Sequence, residues 1–190
     1  MSDQKLQKTS FLIAMPSLKE SLFSKSLILM AEKNDSGALG FIINSPTATM
    51  VKDALKSLSL KNNNLFDIPI LLGGPVQTDF FWLIHSTNFE TKNTIKIHEL
   101  FYLSSLMEIL PAMETDNRPD IYHAGVGYSG WGANQLEKEI ESGSWWLEDL
   151  SLDLLFKTPH DEQWENALEC LGVDPEMLVD NTNPDNPSIN

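Results

Sequence analysis

Two apolar stretches, residues 27–33 and 38–44, are separated by Asn34-Asp35-Ser36-Gly37, a cluster of turn-forming residues. Apolar runs joined by so short a polar link read as an antiparallel β-hairpin. Neither run alternates cleanly between apolar and polar positions, so the hairpin is expected to be covered on both faces. The rest of the chain must therefore supply layers on either side of it.

The remaining pattern is mixed. Strands are expected at 11–15, where Pro16 stops the run, and at 68–72, 80–85 and 121–126. The second and third of these are linked through Gly73-Gly74-Pro75 and Gln77-Thr78-Asp79. Val51, Ala54, Leu55 and Leu58 recur at helical spacing and predict a helix over 50–60 with Thr49 as its N-cap. A polar loop follows at 61–64. Residues 94–103 read as extended, with a short helix after them to about Met113 that Pro111 blurs. A further helix spans 133–142 and is closed by Gly143 at the C′ position. Residues 144–147 are short and extended. The last helix starts at Thr158 as cap, with Pro159 in the first turn and Asp161 as the capping-box acid, and ends at Gly172. Residues 180–190 lack core formers and are expected to be disordered, leaving one domain over 1–179. A 190-residue chain buries about 70% of its unfolded surface and needs no disulfide or metal staple.

Charge narrows the partners. The net charge is −14, and residues 132–190 hold 14 of the 27 acidic side chains but only 2 of the 13 basic ones. Such a surface repels phosphate backbones and anionic membranes, so direct nucleic-acid or membrane binding is not expected. Arg118 is the single arginine, which leaves little capacity for bidentate reading of phosphate or guanine. The acidic last third reads as a solvated helix flank that a basic partner protein could recognise. No apolar run is long enough for a signal peptide or a membrane span, and one cysteine forms no internal disulfide, so a cytoplasmic location is expected. That thiol, Cys170, lies beside the stripe of Trp164, Ala167, Leu168 and Leu171 and is expected to be buried and inert.

Gly125-Val126-Gly127-Tyr128-Ser129-Gly130 matches the dinucleotide fingerprint G-x-G-x-x-G. It follows an expected strand and precedes an expected helix, but too few strands follow to build a nucleotide-binding half, and bulky Trp131 stands where close helix packing is needed. A structural glycine turn is the better reading. His85, His98, His123 and His160 share no metal-ligand spacing, and no nucleophile elbow, P-loop or zincin motif occurs, so neither a catalytic constellation nor a cofactor or metal is expected. Trp131, Trp145 and Trp146 crowd the glycine-rich stretch. Glycines on two separate segments permit close backbone approach to a ligand. The candidate pocket therefore comprises Gly73, Gly74 and Pro75 with His123, Gly127, Tyr128 and Trp131.

Five segments in order resemble the AlgH/YqgE family of bacterial proteins: Phe-Leu-Ile-Ala-Met-Pro at 11–16, Gly-Ala-Leu-Gly-Phe-Ile-Ile-Asn-Ser-Pro at 37–46, Leu-Gly-Gly-Pro at 72–75, Gly-Tyr-Ser-Gly-Trp at 127–131 followed by Gln-Leu-Glu at 135–137, and Leu-Phe-Lys-Thr-Pro at 155–159 with Trp164. The resemblance implies an α+β fold whose branched, mostly antiparallel sheet curls into a partial barrel with helices packed around it. It also implies a family without an assigned biochemical activity, called transcriptional regulators by association with a regulated pathway. Many members carry Cys-Glu-His-Asn where this chain has Ala31-Glu32-Lys33-Asn34, so a thiol-based role at that place cannot apply here. The functional expectation is a non-catalytic regulatory or adaptor protein acting through protein contacts. The alternative is a small-molecule-binding protein or enzyme using a cleft at the glycine turns.

Overall fold

The computed structural model describes residues 10–18, 21–56, 66–149 and 151–173. Nine strands form one sheet among them: β1 Ser10–Ala14, β2 Leu27–Asn34, β3 Gly37–Ile42, β4 Pro46–Met50, β5 Pro69–Leu72, β6 Val76–Ser86, β7 Phe101–Ser105, β8 Tyr122–Gly132 and β9 Trp145–Asp149. Five helices accompany them: α1 Val51–Ala54, α2 Leu106–Met113, α3 Gln135–Glu141, α4 Leu152–Phe156 and α5 Gln163–Cys170. The main strand order is β4-β5-β8-β3-β2-β1-β9, with β6 and β7 branching from β8. Every described pairing is antiparallel except β5 with β8. The sheet does not close.

The hairpin forms as expected, as β2 and β3, and two-sided burial explains its unbroken apolar runs. Phe11, Ile13, Leu27, Leu29 and Phe41 face a core shared with Leu154 and Leu155 of α4 and with Trp164, Ala167 and Leu168 of α5. The alternate residues Leu12, Ala14, Ile28, Met30 and Ile42 face the opposite way, onto Trp131, Leu136 of α3 and Trp145. Period-2 geometry sends neighbours to opposite faces, and here both faces are dry. A third cluster packs Leu106, Ile109, Leu110 and Met113 of α2, with Val51 of α1, against Ile70, Leu83 and Ala124.

Branching is concentrated in β8. Its residues 124–126 pair with β5, residues 122–128 lie opposite β6, and residues 129–132 pair with β3. The glycine-rich stretch is thus the middle of an eleven-residue strand and not a strand-to-helix turn. The helix begins only at Gln135, after Asn134 in the left-handed region at φ 59°. No phosphate loop is formed, which removes the dinucleotide reading.

Several local expectations are corrected. Residues 46–50 pair with β5, so α1 starts at Val51 and Thr49 is not its cap; the Thr49 amide donates instead to the Thr47 hydroxyl. The polar loop at 61–64 lies outside the described residues, as does the tail at 180–190. Gln77-Thr78-Asp79 is not a connection but part of β6, where the register with β8 breaks between Val76 and Phe81. The Thr158 hydroxyl donates back to the Asp153 carbonyl, ending the short helix α4 that periodicity did not reveal, and α5 starts five residues later at Gln163. Cys170 is exposed, because the buried face of α5 is Gln163, Trp164, Ala167 and Leu168, and position 170 falls beside that stripe. Gly143 closes α3 as expected, at φ 75°.

Candidate functional site

A β-bulge shapes the open end of the hairpin. Met30 lies opposite Gly40 and Glu32 opposite Leu39, so Ala31 is the extra residue. A bulge kinks its strand and re-aims the side chains beside it. Ala31 and Glu32 consequently join Leu39 and Phe41 in lining a cavity of about 260 Å³, whose other side is formed by Gln77, Phe80, Ile95, Ile97, Leu103 and Tyr128. A neighbouring cavity of about 440 Å³ is lined by Asn34, Gly37, Ala38, Val76, Gly130 and Trp131, and it shares Glu32, Leu39 and Tyr128 with the first. The two make one groove between the hairpin and the β6–β8 pair. Pockets of this size, mostly apolar with a few polar groups, are the usual form of binding sites.

The polar edge is sparse. The Asn34 carboxamide donates to Glu32 Oε1 at 2.6 Å, while its oxygen accepts from the Ser36 amide at 2.8 Å and shapes the turn. Glu32 is the one charged side chain among the described residues lining either cavity.

Of the candidates named from sequence, Tyr128 and Trp131 line this groove. Gly73, Gly74 and Gly127 do come together, but as a packed seam. The Trp82 indole N–H donates to the Gly127 carbonyl at 2.7 Å, and a Cβ added to Gly73 would lie 2.5 Å from that same oxygen. Pro75 is exposed beside the seam. Trp131 is held from behind: its indole N–H and that of Trp145 both donate to Glu139 Oε2, at 2.9 and 2.8 Å, while Gln135 donates to Oε1 at 2.9 Å. This clamp fixes α3 and the Trp131 ring, so Trp131 and Trp145 serve the groove wall, while Trp146 packs on the core at the other face of the sheet.

His123 is elsewhere, under α4. Its Nε2 lies 2.8 Å from the Leu155 carbonyl, which can only accept, so the proton is on Nε2. Its ring stacks on Phe156 at 5.3 Å and approaches His160 at 5.2 Å. Burial depresses its pKa from 6.5 to about 4, opposed by the Leu155 bond and assisted by His160. The sign follows from proton uptake. Above pH 6.5 the ring is neutral whether folded or unfolded; as pH falls toward 4, only the unfolded chain takes the proton, and stability drops by at most roughly 3 kcal/mol. His123→Gln is expected to lose less stability between pH 7 and pH 4.5 than the parent, compared by urea midpoints at each pH. Equal losses would show that His123 does not carry the acid sensitivity.

Sequence reasoning weighed His85 only as a metal ligand and did not single out Ser104. His85 Nδ1 donates to the Ser86 carbonyl at 2.9 Å, so Nε2 accepts from the Ser104 hydroxyl at 3.0 Å, and Thr94 donates to Ser104 at 2.8 Å. The pair has nucleophile–base geometry, yet His85 is 0% and Ser104 2% exposed. It is an internal network joining β6 to β7. Among the described residues no cluster of three or more His, Cys, Asp or Glu could hold a metal ion. No helix of the described residues is long and apolar enough to cross a membrane.

A family model described as AlgH-like matches residues 11–176. A UPF0301 protein of Thioalkalivibrio sulfidiphilus is 36% identical over 169 residues, covering 88% of this chain and 91% of that protein. A UPF0301 protein of Vibrio cholerae is 33% identical over 174 residues, covering 88% and 93% respectively. The solution structure of the AlgH protein from Pseudomonas aeruginosa has the same fold, with a TM-score of 0.77 at 29% identity, covering 94% of this chain and 95% of that one.

Proposed function

This chain belongs to the AlgH-like family, whose function is uncharacterised, and from that premise we propose that it is a non-catalytic adaptor that holds an apolar segment of a partner protein in the groove between β2–β3 and β6–β8. The observation that carries this reading is the exposure of large apolar side chains along the groove. Val76, Phe80 and Ile95 are 37%, 39% and 57% exposed, and all three line it. Clustered exposed apolar side chains on a soluble protein favour association, since covering them releases ordered water. Regulation by this protein then proceeds through protein contacts, and a net charge of −14 keeps it off DNA. Asp161, Glu162, Glu165 and Glu169, exposed along and before α5, add long-range attraction for a basic partner.

The test places the photoreactive p-benzoylphenylalanine at position 80, and as a control at position 107, where Met107 is exposed on α2. A discrete protein adduct is expected from position 80 in growing cells, absent from position 107 and lost when Ile95→Asp is added. No protein adduct from position 80, or one that survives Ile95→Asp unchanged, overturns the reading.

A further inference from the structure

The charge and main-chain layout of the groove define its occupant. Glu32 sits where the two cavities meet, since it lines both, and among the described residues no lysine, arginine or histidine lines either of them or pairs with it. The neighbouring Lys33 is already committed, to Glu137 of α3. A carboxylate on the rim of an apolar groove, with the cation next to it in the chain engaged elsewhere, favours a ligand that brings a positive charge on an apolar body.

The opposite wall carries a second signal. Between Val76 and Phe81 strand β6 leaves its register with β8, and its pairing with β7 begins only at Trp82. Residues 77–80 are exposed, Gln77 adopts a left-handed φ of 48°, and both Gln77 and Phe80 line the groove. Residues 77–80 thus have no partner in register on either side, and an extended peptide can align along such a stretch by strand addition. A small amine would use the carboxylate but not the main chain.

Resting on the groove reading above, we propose that the occupant is an extended segment of a partner protein that lies along residues 77–80, buries aliphatic or aromatic side chains in the two cavities, and sets a lysine or arginine on Glu32. Alternate side chains of an extended segment point the same way about 7 Å apart, so a basic residue flanked by apolar ones two positions away fits the cavity–carboxylate–cavity order.

The experiment selects a displayed library of random nonapeptides on the full-length protein, on Glu32→Gln and on Phe80→Asp/Ile95→Asp. Glu32 is exposed, and glutamine keeps its shape and its bond from Asn34, so the first variant tests charge without disturbing the fold. The parent is expected to enrich peptides with Lys or Arg between apolar residues. Glu32→Gln should lose that basic preference and bind the parent-selected peptides about three- to tenfold more weakly, with the difference vanishing at high salt. Enriched peptides without a basic residue, or equal affinity for the parent and Glu32→Gln, would overturn the cation assignment while leaving the groove reading intact. Enrichment undiminished on Phe80→Asp/Ile95→Asp, or no enrichment on the parent, would overturn both. A third arm titrates phenethylamine: if it binds as tightly as the best peptide, the occupant is a small amine and the proposed protein segment is wrong.

Discussion

Trp82→Ala is expected to destabilise the protein by about 3–5 kcal/mol, the range for deleting a large buried aromatic. Trp82 is 0% exposed and packs on the Phe41 ring at 4.9 Å. Its six-membered ring fills the space that a side chain would take at Gly125, where an added Cβ would lie 2.1 Å from it. Alanine would leave an empty cradle between β5, β6 and β8 that two rows of glycine cannot collapse to fill. It would also leave the Gly127 carbonyl without its 2.7 Å bond from the indole. Trp82→Phe separates the two contributions, because it keeps most of the ring and loses the donor; about 1–3 kcal/mol is expected. Urea unfolding at pH 7 reads both, and a loss below about 1 kcal/mol for alanine would show that Trp82 does not organise the branch.

Gly74→Ala is expected to be comparably damaging, at about 3 kcal/mol or more, for a backbone reason. Gly74 has φ 150°, and an added Cβ would lie 2.3 Å from both the carbonyl carbon and the oxygen of Tyr128. Backbone atoms of a paired strand cannot swing aside as a flexible side chain can, so β8 would have to separate from the segment leading into β6. The reciprocal contact is equally close: Gly127, at φ 67°, would place a Cβ 2.4 Å from the Gly74 carbonyl. Gly130→Ala is the control. The nearest atom to its added Cβ is in the Tyr128 ring at 3.5 Å, ordinary contact, so a change within about 0.5 kcal/mol is expected. Thermal unfolding of the two variants side by side should separate them clearly. Equal midpoints would show that the seam is loose enough to accept a methyl group, and the glycines would then not be required there by packing.

Both substitutions act on a feature that the sequence made visible and misdescribed. The glycines of 73–74 and 125–130 stand out in composition, and G-x-G-x-x-G has a known geometry in another fold. What they do here depends on Trp82, 43 residues before Gly125 in the chain, whose ring occupies the missing side-chain space. A one-dimensional pattern shows that a side chain is absent but not what enters the gap.

The groove was legible only at its margins. Tyr128 and Trp131 could be named because aromatics beside glycines suggest a wall. Glu32 drew notice only through the family resemblance and Asn34 otherwise only as a turn former, and nothing local marked Phe80, Ile95 and Val76 as groove residues. An apolar residue in a strand looks the same whether its side of the sheet is later covered or left open. His123 shows the converse error: adjacency to the glycine stretch in sequence suggested the cleft, but strand alternation and the placement of α4 put its ring against Phe156 and Leu155.

Local chemistry decided the hairpin, the positions of most strands, the C′ glycine of α3 and the division of charge, because these depend on neighbours within about ten residues. Tertiary structure decided the rest. Which apolar face stays open, that β8 serves three strands, and that the bulge at Ala31 turns a carboxylate into the groove all depend on contacts between segments far apart in the chain. Those contacts are set by steric fit between surfaces, and no periodicity in the sequence encodes them.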